Sequence, residues 1–181
     1  EQGAHLWKLA QGLDERPVVP ERQAKSISRE TTFSRDVTDL EILKSVLIEL
    51  VEDVARRLRK NQLRGKTIQL KIRYDDFSTF TRASTIAQPT DITRDIQAAA
   101  LQMLEHRLPA RRLSIRLIGV GVSGFDQSAV QQRSLFDEED QQKHSRLDQI
   151  KDQIADRFGM DSLKRGNRII NDARDESAEA D

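Results

Sequence analysis

The hydrophobic repeat of this chain switches back and forth between a period of two and the period of a helix, and that alternation admits few folds. From Thr67 to Tyr74, Ile68, Leu70 and Ile72 alternate with Gln69, Lys71 and Arg73, which is a strand with one dry face. Before it, Leu40, Leu43, Leu47, Leu50, Val51, Val54 and Leu58 recur on one side of a helix that runs to about Lys60. Thr38 followed by Glu41 predicts a capping box at its start. Upstream, Gln23 to Phe33 is rich in Ser and Thr, with Ile27 and Phe33 as apolar points, and reads as a strand with one face wet. Gly65 ends the connection, Asp75 and Asp76 supply a turn, and Phe77 to Ala87 returns as a second strand in a hairpin. Pro89, Thr90 and Asp91 open a second helix, with Ile92, Ile96, Ala100, Met103 and Leu104 on its core side and Pro109 stopping it. Leu113, Ile115, Leu117, Val120 and Val122 then mark a last strand over Arg112 to Val122. The order βαββαβ predicts an α+β domain: a four-stranded, mostly antiparallel sheet with two helices on a single face and the opposite face open.

The 181 residues, 36% hydrophobic and 33% charged, suit one such domain with appendages, here residues 23–125. Ahead of it, residues 1–13 carry Leu6, Trp7, Ala10 and Leu13 at helical spacing and read as the end of a helix whose packing partners lie upstream. Residues 14–22 hold Pro17 and Pro20 and read as an extended tether. Residues 126–181 form a predicted flexible tail in which Leu147, Ile150, Ile154 and Phe158 suggest a short helix over 145–158, marginal on its own. Arg174 to Asp181 has the composition of a disordered end. No apolar run approaches the length of a membrane span and no leader pattern is present, so no membrane partner and a cytoplasmic location are expected. The absence of cysteine excludes disulfides, thiolate metal sites and a cysteine nucleophile. The opening Glu1, rather than Met, suggests a piece of a longer polypeptide.

Neutrality overall hides an asymmetry. Through Phe125 there are 21 Lys and Arg against 16 Asp and Glu, a net of +5; from Asp126 onward there are 9 against 14, a net of −5. A basic body with an acidic tail fits a body that meets a polyanion. On the open face of the sheet or along its edge lie Lys25, Arg29, Lys71, Arg73, Arg82 and Arg116, mixed with the hydroxyls of Ser26, Ser28, Thr31, Thr32 and Thr85. Cations that displace counterions, together with small donors that carry no base preference, are what a phosphate-tracking surface needs. The plain alternative is the wet side of a half-exposed antiparallel sheet.

Catalytic readings find little support. His5, His106 and His144 lack metal-ligand spacing. Asp75 and Asp76 are adjacent, so in a strand they would face opposite sides, and a turn explains them better. Gly119, Gly121 and Gly124 lie in a strand-like segment rather than before a helix, which suits a bulge or a close backbone approach better than a dinucleotide loop.

Beyond the domain, Gln132, Arg133, Ser134, Leu135 and Phe136 spell QRSLF. A side-chain amide with two adjacent apolar side chains can anchor an extended peptide in an apolar cleft, and the string resembles the pentapeptide by which bacterial DNA polymerases hang from the sliding clamp. The alternative is a Leu-Phe pair covering the domain's own core. Three further segments agree with the first reading: KSISRETTF from Lys25 to Phe33, LKIRYDDFSTFTRASTI from Leu70 to Ile86, and RLIGVGVSGF from Arg116 to Phe125. Together they resemble the little-finger domain of the Y-family translesion DNA polymerases, the bacterial DNA polymerase IV group in particular, over nearly the whole chain and in the right order.

The resemblance implies a sheet that lies in the DNA major groove and holds both backbones near the primer-template junction. It implies DNA contacts at Lys25, Ser26, Ser28, Arg29, Thr31, Arg82, Arg116, Gly119 and Ser123, and clamp contacts at Gln132, Arg133, Ser134, Leu135 and Phe136. Ser28 stands where many relatives have Gly, and Gly121 where archaeal relatives carry Arg. The implied partners are primer-template DNA, the sliding clamp (the beta subunit of the replicative polymerase) and the remaining polymerase domains upstream. The palm carboxylates and their Mg would lie upstream of Glu1, leaving no cofactor and no catalytic or metal residue in this stretch. An error-prone polymerase is the parent so implied; the alternative is a non-catalytic clamp-bound adaptor of the same family.

Overall fold

A computed structural model describes residues 2–14, 16–17, 24–108, 114–125, 138–159 and 162–163. Its elements, in chain order, are α1 (Gln2–Ala10), β1 (Ser26–Val37), α2 (Leu40–Lys60), β2 (Gly65–Tyr74), β3 (Thr79–Thr90), α3 (Thr93–His106), β4 (Ile115–Phe125) and α4 (Glu138–Phe158). The sheet runs β1-β4-β2-β3, with every neighbouring pair antiparallel. The expected βαββαβ order is therefore present, with β4 inserted between β1 and β2 and β3 at the far edge.

The periodicities explain which face is dry. Ile27, Val122 and Ile68 share one row, Val120 and Leu70 the next, and Ile118 and Ile72 the third. All seven are buried, against Leu43, Leu47, Leu50, Val51, Val54 and Leu58 of α2 and Ile96, Ala100, Met103 and Leu104 of α3. Each fully buried aliphatic side chain contributes about 1.5–3 kcal/mol by leaving water, so these rows hold the two helices on the sheet.

Several boundaries differ from expectation for identifiable reasons. The cap of α2 is Asp39 rather than Thr38: its Oδ1 accepts the Glu41 N–H at 2.8 Å, and Asp39 itself has the extended backbone of an N-cap. β1 continues past Phe33 to Val37, because the ladder resumes at Val37 opposite Ile115 after a register shift. β3 starts at Thr79 rather than Phe77 and runs through Pro89 to Thr90, which pairs with Gly65. Proline is tolerated there because β3 is an edge strand. Consequently α3 begins at Thr93, and the Thr90 hydroxyl accepts the Ile92 N–H at 3.1 Å while donating to Asp95 at 2.9 Å. β4 extends to Phe125, past the expected Val122.

The largest departure is α4. It spans 138–158 rather than 145–158 and is docked on the helical layer by its acidic side. Arg59 of α2 donates to Asp152 (Nε to Oδ2, 2.6 Å) and Asp148 (Nη1 to Oδ2, 3.2 Å), and Arg94 and Arg56 bind Asp140 and Asp156. Burial alone would lower the Arg59 pKa, but the hydrogen bonds it donates to Asp152 and the charges of Asp148, Asp152 and Asp91 outweigh it and raise it. Asp148 also accepts the Thr93 N–H at 2.8 Å. Ile92, at the N-cap position of α3, offers no side-chain acceptor, so α4 caps α3 in its place. Of the apolar residues that announce the helix, Leu147, Ile150 and Phe158 are exposed and Ile154 is half-buried. No described helix is long and apolar enough to cross a membrane. The predicted tether and disordered end fall largely or wholly outside the described residues.

Arg59→Ala is expected to destabilise the folded chain by about 3 kcal/mol, because Asp148 would be left shielded from water without its cation. Arg56→Ala, whose partner Asp156 is mostly exposed, should cost under about 1 kcal/mol. Urea unfolding compares the two, and hydrogen exchange should find α4 amides losing protection before those of β2 and β4.

Candidate nucleic-acid interface

Since Ile68, Leu70 and Ile72 face the helices, the alternate residues of β2 face the other way. Following the register across the sheet gives four rows on the open face: Ser26, Ser123, Thr67, Thr85; Ser28, Gly121, Gln69, Ala83; Glu30, Gly119, Lys71, Thr81; and Thr32, Leu117, Arg73, Thr79. The face is small, hydroxyl-rich and cationic at Lys71 and Arg73. Arg73 donates from Nε to the Thr79 hydroxyl at 2.9 Å, and the Thr67 and Thr85 hydroxyls lie 3.3 Å apart.

Gly119 is what lets this surface stay low. A Cβ at that position would meet the Glu30 Cβ at 2.7 Å. With no side chain there, Lys71 reaches over β4 from β2 and donates to Glu30 of β1 at 2.8 Å. Gly121 plays a milder part, its Cβ position lying 3.1 Å from the Ser28 Cβ.

Not every residue singled out in the sequence belongs to this face. Arg29 and Thr31 stand opposite Val120 and Ile118, and Arg82 opposite Leu70, so all three turn to the helix side of the two edge strands. Arg29 lies 3.6 Å from Asp53 and stays more than half exposed. Arg82 donates from Nε to the Arg107 carbonyl at 2.9 Å and from Nη1 to the Thr81 carbonyl at 3.1 Å. Lys25 is exposed just ahead of β1. Arg116 is the extra residue of a bulge, because Arg73 faces Leu117 while Tyr74 faces Ile115. Ser26, Ser28, Gly119 and Ser123 do come together on the open face. The peptide Gln132, Arg133, Ser134, Leu135 and Phe136 lies outside the described residues.

Two arginines that periodicity did not single out complete the edges. Arg57 of α2 donates to the Ser28 carbonyl at 2.9 Å, and Arg107, just after α3, donates to the Ala83 carbonyl at 3.4 Å. Each free edge of the sheet thus carries a pair of arginines: at β1 Arg57 meets the Ser28 carbonyl while Arg29 and Arg57 share Asp53 at 3.6 and 3.9 Å, and at β3 Arg82 and Arg107 meet the Thr81 and Ala83 carbonyls. This covers an edge otherwise open to pairing with another strand and makes it positive. The sequence signal for Arg57 and Arg107 was only their place in and after the last turn of a helix, where cations are favoured for other reasons.

Of the remaining acidic and histidine candidates, Asp75, Asp76, His106 and His144 have structural partners, and His5 is exposed on α1. The Asp75 carboxylate accepts from the Ser114 hydroxyl at 2.6 Å and Asp76 from the Ser78 N–H at 2.8 Å, closing the β2–β3 turn. His106 lies 3.7 Å from Glu105 and His144 3.5 Å from Asp140. Among the described residues no three His, Asp or Glu side chains group as a metal site.

An antiparallel four-stranded sheet with helices on one face, hydroxyls and cations on the other and arginines at both edges defines a domain built to present its sheet. The chain belongs to the impB/mucB/samB family: residues 24–135 match the model of that family's C-terminal domain. It is 38% identical to the DNA polymerase IV of Desulfatibacillum aliphaticivorans over 164 residues, covering 90% of this chain and 41% of that protein. It is 35% identical to the DNA polymerase IV of Alkaliphilus oremlandii over 179 residues, covering 93% and 44%. The chain therefore spans about two-fifths of the length of the curated relatives it matches. Among solved structures it is similar to the little finger domain of PolIV in a complex with the beta-clamp processivity factor, with a TM-score of 0.48, 23% identity, and coverage of 61% of this chain and 98% of that one.

Gly119→Ala is expected to destabilise the domain by about 1–3 kcal/mol through overpacking against Glu30, with Gly121→Ala costing less. Thermal unfolding of the two variants beside the parent chain ranks them.

Proposed function

We propose that this chain is the DNA-gripping and clamp-tethering part of an error-prone translesion DNA polymerase of the DNA polymerase IV type. The observation that carries the reading is the open face together with its rim: rows of hydroxyls and glycines holding Arg73 and the Lys71–Glu30 ion pair, and an arginine pair on the helix side of each edge. Three strand spacings separate the edges by about 14 Å, close to the roughly 12 Å width of the DNA major groove. A sheet of that width set into the groove brings each arginine pair toward one phosphate backbone. The hydroxyls then add short donors without reading bases, so the duplex is held whatever its sequence. That suits a polymerase that must pass damaged templates.

The names of the relatives support the same assignment. The peptide Gln132 to Phe136 supplies the tether, with Leu135 and Phe136 as its apolar anchors in a cleft of the clamp. Only six residues separate it from Phe125, about 20 Å of extended chain, so clamp and sheet would act on one duplex. The Mg ions of nucleotidyl transfer would belong to the palm of the parent polymerase, and the role proposed for this chain is binding. It holds the substrate for polymerase domains that carry the chemistry.

Binding to a labelled primer-template should fall steeply with salt and vary little with sequence, and Arg29→Ala and Arg82→Ala should each lower the slope of log affinity against log salt by about one. Affinity indifferent to salt would remove the phosphate-tracking account. Separately, Leu135→Ala with Phe136→Ala should weaken capture of a bacterial sliding clamp by at least about tenfold, and undiminished capture would assign the peptide to packing instead.

A further inference from the structure

Phe77 stands in an unusual place for its chemistry. Among the described residues the non-glycines at positive φ are Gln62 (54°) and Phe77 (63°). Gln62 lies just past the end of α2, where that conformation commonly terminates a helix. Phe77 lies in the tight turn between β2 and β3, a bulky aromatic where Gly or Asn would fit the backbone. The residue is 63% exposed, so burial in the core does not explain it. The turn closes without the ring: Phe77 N–H donates to the Tyr74 carbonyl and Tyr74 N–H to the Ser78 carbonyl, both at 3.0 Å.

What the ring does meet is Arg116, whose guanidinium carbon lies 4.8 Å from the ring centroid. Arg116 is the bulge residue of β4, so its side chain is aimed by the bulge rather than by the ladder. The contact with Asp36 is long, at 3.9 Å. The turn's own carboxylates are engaged by Ser114 and Ser78. A guanidinium lying over an aromatic face keeps its N–H edges free for an anion, and its planar fork suits a phosphate.

We propose that Phe77 is a positioning residue that holds Arg116 over its ring for contact with a backbone phosphate of bound DNA. This rests on the DNA-gripping assignment above. The strained backbone at Phe77 is then kept for the ring it delivers, as strain at binding sites commonly is.

The test is a double-mutant cycle on the full chain, reading affinity for a labelled primer-template over a salt series together with Tm. Phe77→Gly relieves the positive φ, so Tm should hold or rise while affinity falls about threefold, the size expected for an exposed cation–π contact. Phe77→Tyr, which keeps the ring, should bind like the parent. Arg116→Ala should lose more affinity and lower the salt slope by about one. In the Arg116→Ala background, Phe77→Gly should cost nothing further. An equal loss from Phe77→Gly in both backgrounds, or no loss in either, overturns the proposal. If Arg116→Ala binds like the parent while Arg29→Ala and Arg82→Ala weaken binding, this inference fails and the DNA assignment stands. If the parent chain's affinity ignores salt, the assignment fails and takes the inference with it.

Discussion

Everything in this domain depends on burying one side of one sheet. The rows Ile27–Val122–Ile68, Val120–Leu70 and Ile118–Ile72 close on the leucines and valines of α2 and on Ile96 and Met103 of α3. Because strand side chains alternate, committing these positions to the core leaves their neighbours on the opposite side with no core to join. The open face is therefore a by-product of the core, and its chemistry is free to be set by binding. Ser, Thr, Gly and Lys occupy it where a second apolar layer would otherwise have formed.

The same logic accounts for the edges. β1 and β3 each pair with one strand, so each leaves backbone groups unpaired on its outer side. Arg57 and Arg107 come from the helical layer to meet carbonyls there, while Arg29 and Arg82 rise from the edge strands themselves. Protection of the edge and positive charge at the edge are one arrangement. α4 extends the use of charge to packing: Asp148 and Asp152 hold Arg59, and Asp148 also caps α3, so a segment with little apolar contact becomes part of the domain.

Long periodic segments were legible from the chain alone. Leu43 to Leu58 and Ile68 to Ile72 show their elements and their buried face directly, since burial of one side imposes a helical or a two-residue repeat. The ends were less legible because they depend on partners distant in sequence. β3 passes Pro89 on account of Gly65 opposite Thr90, and Asp39 rather than Thr38 takes the cap of α2. α4 is the element least marked by its repeat. Its apolar stripe, Leu147, Ile150, Ile154 and Phe158, suggests a packing face, yet of these Ile154 alone is half-buried, and the docked face is the acidic one. A repeat identifies a helix, but it does not say which side meets the protein when the contact is ionic.

By itself the sequence determined the element order, the one-sided core, the surplus of positive charge in the body and the QRSLF peptide, because each is written in local composition or short-range period. The tertiary structure decided which cations share a surface. Arg29 and Arg82 read along the chain as open-face or edge residues, and the register puts them on the two edge strands, turned toward the helix side, where Arg57 and Arg107 join them. It also decided that Lys71 crosses Gly119 to Glu30 and that Arg116 lies over Phe77. Register, bulges and helix docking place these groups together, and they are set by pairing between segments tens of residues apart.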